Sequence, residues 1–374
     1  MFRPGSIQSH LSLRDKIFSM DLILFFSILF LGIISFFSMY STDAGEFAYH
    51  TKSHIVRFFV FFIFFIIVSF VKINFWYNST TIIYLGILTL LILVKYFGLS
   101  SSGSQRWLNL YFINLQPSEL MKVALILFLA KYYHRISSSD VNRLKYLLKP
   151  IVALVFPVIL VVTQPDLGTA LLIAAGGVIV TWLAGVKLKF FAYLGVVFLT
   201  IAPIAISFLK PYQKSRILTF LDPSRDPLGA GYQITQSKIA IGSGGLFGKG
   251  FLNGSQSYLD YLPEKHTDFI FTLFSEEFGF FGSCVILALY ILITYRMVHI
   301  GNTTRDAFAK LFCYSFATAF FLYVAVNMGM VLGLIPIVGS PLPILSYGGS
   351  SMMAIMLGLG IVMSCKIHKD EPVT

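Results

Sequence analysis

Charged side chains are scarce in this sequence of 374 residues: Asp, Glu, Lys and Arg together make up 12%, about half the roughly one quarter usual in a soluble globular domain. That scarcity excludes an ordinary water-soluble enzyme. Cysteine is nearly absent too. Cys284, Cys313 and Cys365 are odd in number, lie in or at the end of apolar runs and show no CxxC spacing, so no disulfide framework or cysteine-built zinc site follows. A polar half is also missing: 38 Phe are spread from end to end, and no segment has the composition of a separate soluble domain. No fixed-period repeat is visible, nor the paired halves of many secondary transporters.

What is present is hydrophobicity, 56% of residues with a mean hydropathy of +0.79. Apolar runs fall near 21–40, 56–72, 79–97, 117–134, 149–163, 167–186, 189–209, 267–295, 309–335 and 343–364, most of them near the length a bilayer requires. The reading is an all-α integral membrane protein of about ten transmembrane helices. It forms one polytopic domain over 1–374, with one large extracytoplasmic loop, about 210–266, between helices 7 and 8. The first run follows a charged leader and lacks a small-residue cleavage pattern, which makes it an uncleaved signal-anchor.

The formal net charge is +11, but the basic residues fall between hydrophobic runs rather than in one patch. Membrane lipids are therefore the expected counterpart, and nucleic acid is not. Segments on the side of the termini carry 16 of the 28 Lys and Arg, which places both termini in the cytoplasm. Seven basic residues, among them Lys214, Arg216, Lys238 and Lys249, lie in the long loop on the other side. An extended segment of that kind in a compact protein is usually functional.

An ionisable side chain within a span costs a few kcal/mol at least on insertion scales, so each marks a functional candidate. Glu119 and Lys122, in Gln116-Pro-Ser-Glu-Leu-Met-Lys122, sit at i and i+3 on one helix face; they either line a cavity or form a self-neutralising pair that joins helices. Asp268 is expected in the first turn of the eighth span, where Asp268, Thr272, Ser275 and Gly279 form a polar stripe that faces a cavity or a tight helix contact. Of the adjacent Glu276 and Glu277, Glu276 lies nearer that stripe and is expected to face the cavity. Asp166, ahead of an apolar helix, reads as a helix cap.

Two further patterns carry less. His50 and His54 are spaced as ligands on a helix, but no neighbouring carboxylate or cysteine completes a site, and no metal is assigned to them. Ile241 to Gly250 is rich in glycine and contains Lys249 but fails the phosphate-loop pattern at Ser243 and Gly250. Exposed backbone N–H groups and a cation there suit either an anion site or a loop lying on the membrane.

Taken together, the motifs resemble the SEDS family (shape, elongation, division and sporulation), closest to its rod-shape branch. The resemblance rests on Gln105-Arg-Trp107, Gln116 to Lys122, Gln164-Pro-Asp-Leu-Gly-Thr169, Gly242 to Gly250 and Leu262-Pro-Glu-Lys-His-Thr-Asp-Phe-Ile-Phe271. It continues through Glu276-Glu277, Asn327-Met-Gly-Met330, Pro341-Leu-Pro343 and Ser346-Tyr-Gly-Gly-Ser-Ser351. Ser255-Gln256-Ser257 stands where the family often has Thr-Gln-Ser, a conservative departure.

The resemblance implies a bacterial inner-membrane peptidoglycan glycosyltransferase that polymerises lipid II into glycan strands during cell elongation. It implies work with a class B penicillin-binding protein, a transpeptidase, and other elongation-complex proteins. It makes Asp268 the candidate catalytic residue and gives Glu119 and Lys122 the place of the charged pair lining the family's cavity. On this reading Asp268 is the general base on the acceptor hydroxyl, in an inverting displacement that releases undecaprenyl pyrophosphate. Arg106, Lys214, Arg216, Lys238 and Lys249 are the candidate cations for the pyrophosphate, with a divalent cation, magnesium or manganese, as the one cofactor admitted and no organic cofactor. Trp107 is either a substrate platform or an interfacial anchor. The rival class is a lipid II flippase, which needs essential charges through the whole depth of the membrane.

Overall fold

The computed structural model describes residues 12–101, 104–109, 114–137, 139–207, 214, 218–220, 222, 226, 229–255 and 262–373. A short amphipathic α1 (Leu13–Phe18) precedes α2 (Leu22–Thr42), α3 (Tyr49–Phe70) and α4 (Ile73–Phe97). Three short strands follow, β1 (Leu99–Ser101), β2 (Ser104–Asn109) and β3 (Asn114–Leu115), paired antiparallel in that order. Then come α5 (Pro117–His134), α6 (Leu144–Thr163), α7 (Leu167–Leu183), α8 (Leu188–Ser207), α9 (Ala230–Ser243), α10 (Ile270–Thr303), α11 (Ala307–Val331) and α12 (Gly349–Ile367).

Among the described residues each expected apolar run falls largely on a helix, with 267–269, 332–335 and 343–348 outside the helix ends, and seven of these helices are long and apolar enough to cross a membrane. The chain is thus a multi-pass membrane protein. Helix α5 carries Glu119, Lys122 and Lys131, α7 has 17 residues, and α8 offers only the shorter apolar stretch Leu188–Val197, so these three of the expected spans fall outside the seven. Hydrophobic patterning gave no sign of the small sheet between α4 and α5, because its strands are short and polar. Nor did it show that the 210–266 segment contains a helix, α9.

Helix α5 is the hub. It packs on α4, α7, α11 and α12 and is buried on nearly all sides, as a helix without a lipid or water face must be. Leu125, Leu129 and Ala130 of α5 are fully enclosed, as are Phe312, Phe316 and Phe320 of α11 and Met356 and Leu359 of α12.

Helices α2 and α10 run antiparallel and are clamped at both ends. At one end Arg296 grips Asp21 through Nε, 3.1 Å from Oδ1, and through Nη2. At the other Ser41 Oγ donates to Glu277. Asp21 to Ser41 and Glu277 to Arg296 each rise about 30 Å at 1.5 Å per residue, close to the thickness of a hydrocarbon core. Lys16 binds the Phe70 carbonyl, Ser364 binds that of Val71, and Arg305 N–H meets the Lys369 carbonyl at the Arg296 end. Residues 43, 116, 166, 266 and 347 gather at the other.

Candidate active site

The Asp268 end is built by chain segments far apart in sequence. Asp268 is not in the first turn of a span: α10 begins at Ile270, and residues 263–269 form turns ahead of it. Thr267 and Phe269 donate their N–H groups to the Glu264 carbonyl, 3.2 Å each, so the carbonyl of Glu264, not a helix, shapes the backbone around Asp268.

That turn is held from behind by two of the later motifs. Asn327 of α11, fully buried, donates through Nδ2 to the carbonyls of Asp268 (3.0 Å) and Ser340 (2.7 Å). Ser346 Oγ donates to the Thr267 carbonyl (2.6 Å) and accepts from Leu342 N–H (2.8 Å), while Tyr347 N–H meets the His266 carbonyl (2.9 Å). Three consecutive carbonyls, 266 to 268, are thereby fixed. The half-buried carboxyl of Asp268 faces Gly339, whose φ is +70° and where a Cβ would stand 3.6 Å from Oδ2. In the same loop Ile344 has φ +68° and centres a tight turn closed by Leu345 N–H on the Pro343 carbonyl, 2.8 Å. Left-handed backbone at a β-branched residue is strained, and such strain persists where the surroundings over-determine it.

Beside this turn stands a cluster that no local pattern announced. His266 Nε2 is 2.8 Å from Asp43 Oδ1, His50 Nδ1 is 3.8 Å from the same oxygen, and the two imidazoles stack at 4.1 Å. Thr51 holds the other oxygen, Oδ2, through N–H (2.9 Å) and Oγ1 (2.6 Å). Burial works to raise the Asp43 carboxyl, but hydrogen bonds from Thr51 and His266 outweigh it and keep the group below its ordinary value. Burial also dominates at His266 and, against the pull of Asp43, lowers the imidazole below its ordinary value. Both directions favour a neutral imidazole beside an ionised carboxylate. His54, the other half of the expected helical spacing, instead meets Ser35 Oγ at 2.9 Å in the interior.

The glycine-rich stretch is anchored in the fold through its backbone, while Leu246 and Phe247 at its tip stay exposed, as in a loop lying on the membrane. Helix α10 breaks at Gly279 (φ +65°), and residues 244–250 insert into the break. Lys249 and Gly250 donate their N–H groups to the carbonyls of Glu276 and Glu277, 3.0 Å each; Phe280 and Phe281 donate to Gly245 (2.9 Å) and Leu246 (3.2 Å). The loop therefore replaces the helical hydrogen bonds that Gly279 interrupts, and the N–H groups of Gly248, Lys249 and Gly250 are committed to backbone carbonyls. Gly248 (φ +82°) lies so close to the Glu277 carbonyl that a side chain would collide with it.

The same insertion corrects the expectation for Glu276. It is fully enclosed and does not face an open cavity: Oε1 takes Lys249 Nζ (2.5 Å), Ser255 Oγ (2.8 Å) and Ser255 N–H (3.1 Å). The polar stripe divides. Thr272 meets Ser237 of α9 at 2.8 Å in a tight helix contact, whereas Ser275 and Gly279 line an apolar cavity of about 380 Å³ with Ile241, Phe271 and Met328.

Glu119 and Lys122 form a buried pair at 2.8 Å, with Lys122 Nζ 4.5 Å from the centre of the Tyr323 ring. Arg106 donates to the carbonyls of Gln164 (3.4 Å) and Pro165 (2.5 Å) and lies 3.7 Å from Asp166, which caps α7 through Thr169 N–H (3.2 Å) and receives Gln116 Nε2 (3.2 Å). Trp107 sits in β2 opposite Leu99. Lys238 is exposed on α9 and lies over Gly333, where a Cβ would come within 2.8 Å of Nζ; Lys214 is half-buried. Arg216, Gln256 and Ser257 lie outside the described residues. Arg57 of α3, whose guanidinium stacks 4.6 Å over the Tyr347 ring, and Asn327 in its clamping role carry no local signal in the sequence.

Comparison with known proteins accords with this architecture. The family model of FtsW, RodA and SpoVE, described as a cell cycle protein, matches residues 16–371. The peptidoglycan glycosyltransferase MrdB of Escherichia coli (strain K12) is 45% identical over 290 residues, 77% of this chain and 77% of that protein. A probable peptidoglycan glycosyltransferase FtsW of Buchnera aphidicola subsp. Baizongia pistaciae is 37% identical over 84% of this chain and 83% of its own. Among solved structures, a chain from work on the structural coordination of polymerization and crosslinking by a peptidoglycan synthase complex superposes with a TM-score of 0.80 at 29% identity, over 94% of this chain and 99% of that one. The rod shape determining protein RodA of Thermus thermophilus gives 0.71 at 26% identity, over 94% and 98%. With a family match from residue 16 to residue 371 and close relatives across most of its length, the chain belongs to the FtsW, RodA and SpoVE family of cell cycle proteins.

Proposed function

We propose that this chain is a peptidoglycan glycosyltransferase that polymerises lipid II into glycan strands during cell elongation, with Asp268 as its general base. The observation that carries the assignment of Asp268 is the triple clamp on carbonyls 266, 267 and 268 by Tyr347, Ser346 and Asn327. Such a clamp fixes a carboxylate in position for proton abstraction, and geometry is the first requirement of a general base. The relatives named as peptidoglycan glycosyltransferases support the reaction class.

In the reaction Asp268 takes the proton of the acceptor sugar 4-hydroxyl as its oxygen attacks the anomeric carbon of a second lipid II. The bond to undecaprenyl pyrophosphate breaks with inversion, and the pyrophosphate leaves as an anion. Of the candidate cations, Arg106 and Lys249 meet carboxylates at 3.7 Å and 2.5 Å; in this reading the leaving charge is met by cations of the 210–266 segment, Lys238 and Lys214 among them. The Asp268 end faces the extracytoplasmic side, because the opposite end collects the larger share of Lys and Arg, and both termini are cytoplasmic. A class B penicillin-binding protein crosslinks the strands, in keeping with the synthase complex among the structural relatives.

One observation favours a second reading, a lipid II flippase: the buried Glu119 and Lys122 pair on the central helix. The discriminating experiment compares purified native protein with Asp268→Ala in one detergent, with and without a cognate class B penicillin-binding protein. Native strands and a loss of about 100-fold or more in the variant are expected, within the range for removal of a general base. Transport of lipid II across liposomes by both proteins, with strands from neither, would replace the polymerase reading by the flippase.

A further inference from the structure

The geometry points to a binding site for a divalent transition-metal ion of the zinc class, formed by Asp43, His50 and His266 beside the Asp268 turn. One ligand atom from each of these residues lies within 4.8 Å of the other two. Their separations from Asp43 Oδ1 are 2.8 Å for His266 Nε2 and 3.8 Å for His50 Nδ1. Those values bracket the ~3.3 Å between donor atoms that follows from tetrahedral bonds of about 2.0–2.1 Å. The two imidazoles stack at 4.1 Å between ring centres with 23° between their planes, so binding turns them out of the stack until both nitrogens point at one ion.

Three features distinguish this cluster from a chance meeting of polar groups. The carboxylate is oriented: Thr51 holds Oδ2 by two hydrogen bonds and so aims Oδ1 at both imidazoles, the kind of outer support that metal ligands have. The donors come from three places, the end of α2, the first turn of α3 and the turn before α10, so a shared ion would tie the last of these to the other two more firmly than the His266 hydrogen bond to Asp43 and the His50–His266 stacking do. The site is also accessible, since the His50 side chain is 43% exposed while that of Asp43 is 5% exposed. Three protein ligands leave a fourth position for water or an anionic oxygen, as in open zinc sites.

Two imidazoles and one carboxylate select zinc, cobalt, nickel or manganese over magnesium, which prefers an all-oxygen octahedron. The ion would hold His266 and, through it, the turn that presents Asp268 two residues later. This inference rests on the geometry of the cluster and not on the assigned activity, and its test does not require catalysis.

The test is metal binding by the full chain purified in detergent, its affinity tag removed, stripped with chelator and titrated with cobalt(II). One equivalent with the visible absorption of a four- or five-coordinate ion, displaced by zinc, is expected. His50→Ala removes an exposed ligand, so folding is retained and is checked by gel filtration. Because loss of a group hydrogen-bonded to a metal ligand already weakens metal binding about 10–100-fold, loss of a ligand should weaken it by at least tenfold. His54→Ala, on the same helix but turned to Ser35, should bind as the native protein does. Equal cobalt spectra in native protein and His50→Ala, or metal content at the level of a buffer blank in the native protein, would overturn the site.

Discussion

Glu119 and Asp268 are both carboxylates in a protein of few charges, and they meet their surroundings in opposite ways. Glu119 is closed off on the central helix, its charge matched at 2.8 Å by Lys122, whose ammonium in turn lies over Tyr323. Asp268 is half-buried at the end of the bundle, where the carbonyls of residues 266 to 268 are held by Tyr347, Ser346 and Asn327. A charge that must stay in the interior is stabilised through its own partner. A charge that must act needs in addition a frame that holds it in position.

The largest effect that sharpens this contrast comes from Glu119→Gln. Lys122 would keep its charge in a buried place and lose its carboxylate, a change worth about 3–5 kcal/mol when a buried pair is broken. The thermal transition of the detergent-purified protein should fall accordingly, and the double variant Glu119→Gln, Lys122→Met should recover most of the loss. A single-variant cost within the ~1 kcal/mol of a surface pair would break the comparison.

Next comes Asn327→Ala, which leaves the carbonyls of Asp268 and Ser340 without their shared donor. An unsatisfied buried acceptor costs about 1–3 kcal/mol. As a positioning residue, Asn327 should show its loss in kcat more than in KM, by tenfold or more, since a displacement of about 1 Å at a reacting group has such consequences. Asn327→Asp, which keeps the shape but has no amide donor, should not restore the rate. Rescue by Asp would mean that bulk, not hydrogen bonding, holds the turn.

How much of this was legible depended on whether the signal was local. The apolar runs announced their helices because about 20 hydrophobic residues carry their meaning within themselves, and Glu119 with Lys122 was visible at i and i+3. The partner of Glu276 was not, since Lys249 stands 27 residues away. Asp43 and His266 are separated by 223 residues, so His50 looked unsupported beside His54. The glycines misled for a physical reason: a residue without a side chain suits an anion loop and a close backbone approach equally. The one local clue to the second was Gly279, isolated inside a helical pattern.

The smallest effect tests that account of the glycines, and it does so by pairing two positions six residues apart. At Gly248 the backbone is left-handed and the Glu277 carbonyl leaves no room for a Cβ; Gly248→Ala must move either the loop or the broken helix, at about 1–3 kcal/mol. At Gly242 the backbone is that of α9 and nothing lies within 4 Å of a Cβ. Gly242→Ala should therefore be neutral or should raise stability by up to ~1 kcal/mol, because alanine favours a helix over glycine by about that much. Thermal unfolding of both variants decides it. If the two lose stability equally, the stretch is held for composition and not for the insertion into α10. If only Gly248→Ala loses it, and strand synthesis falls with it, the break at Gly279 belongs to the frame that holds Asp268.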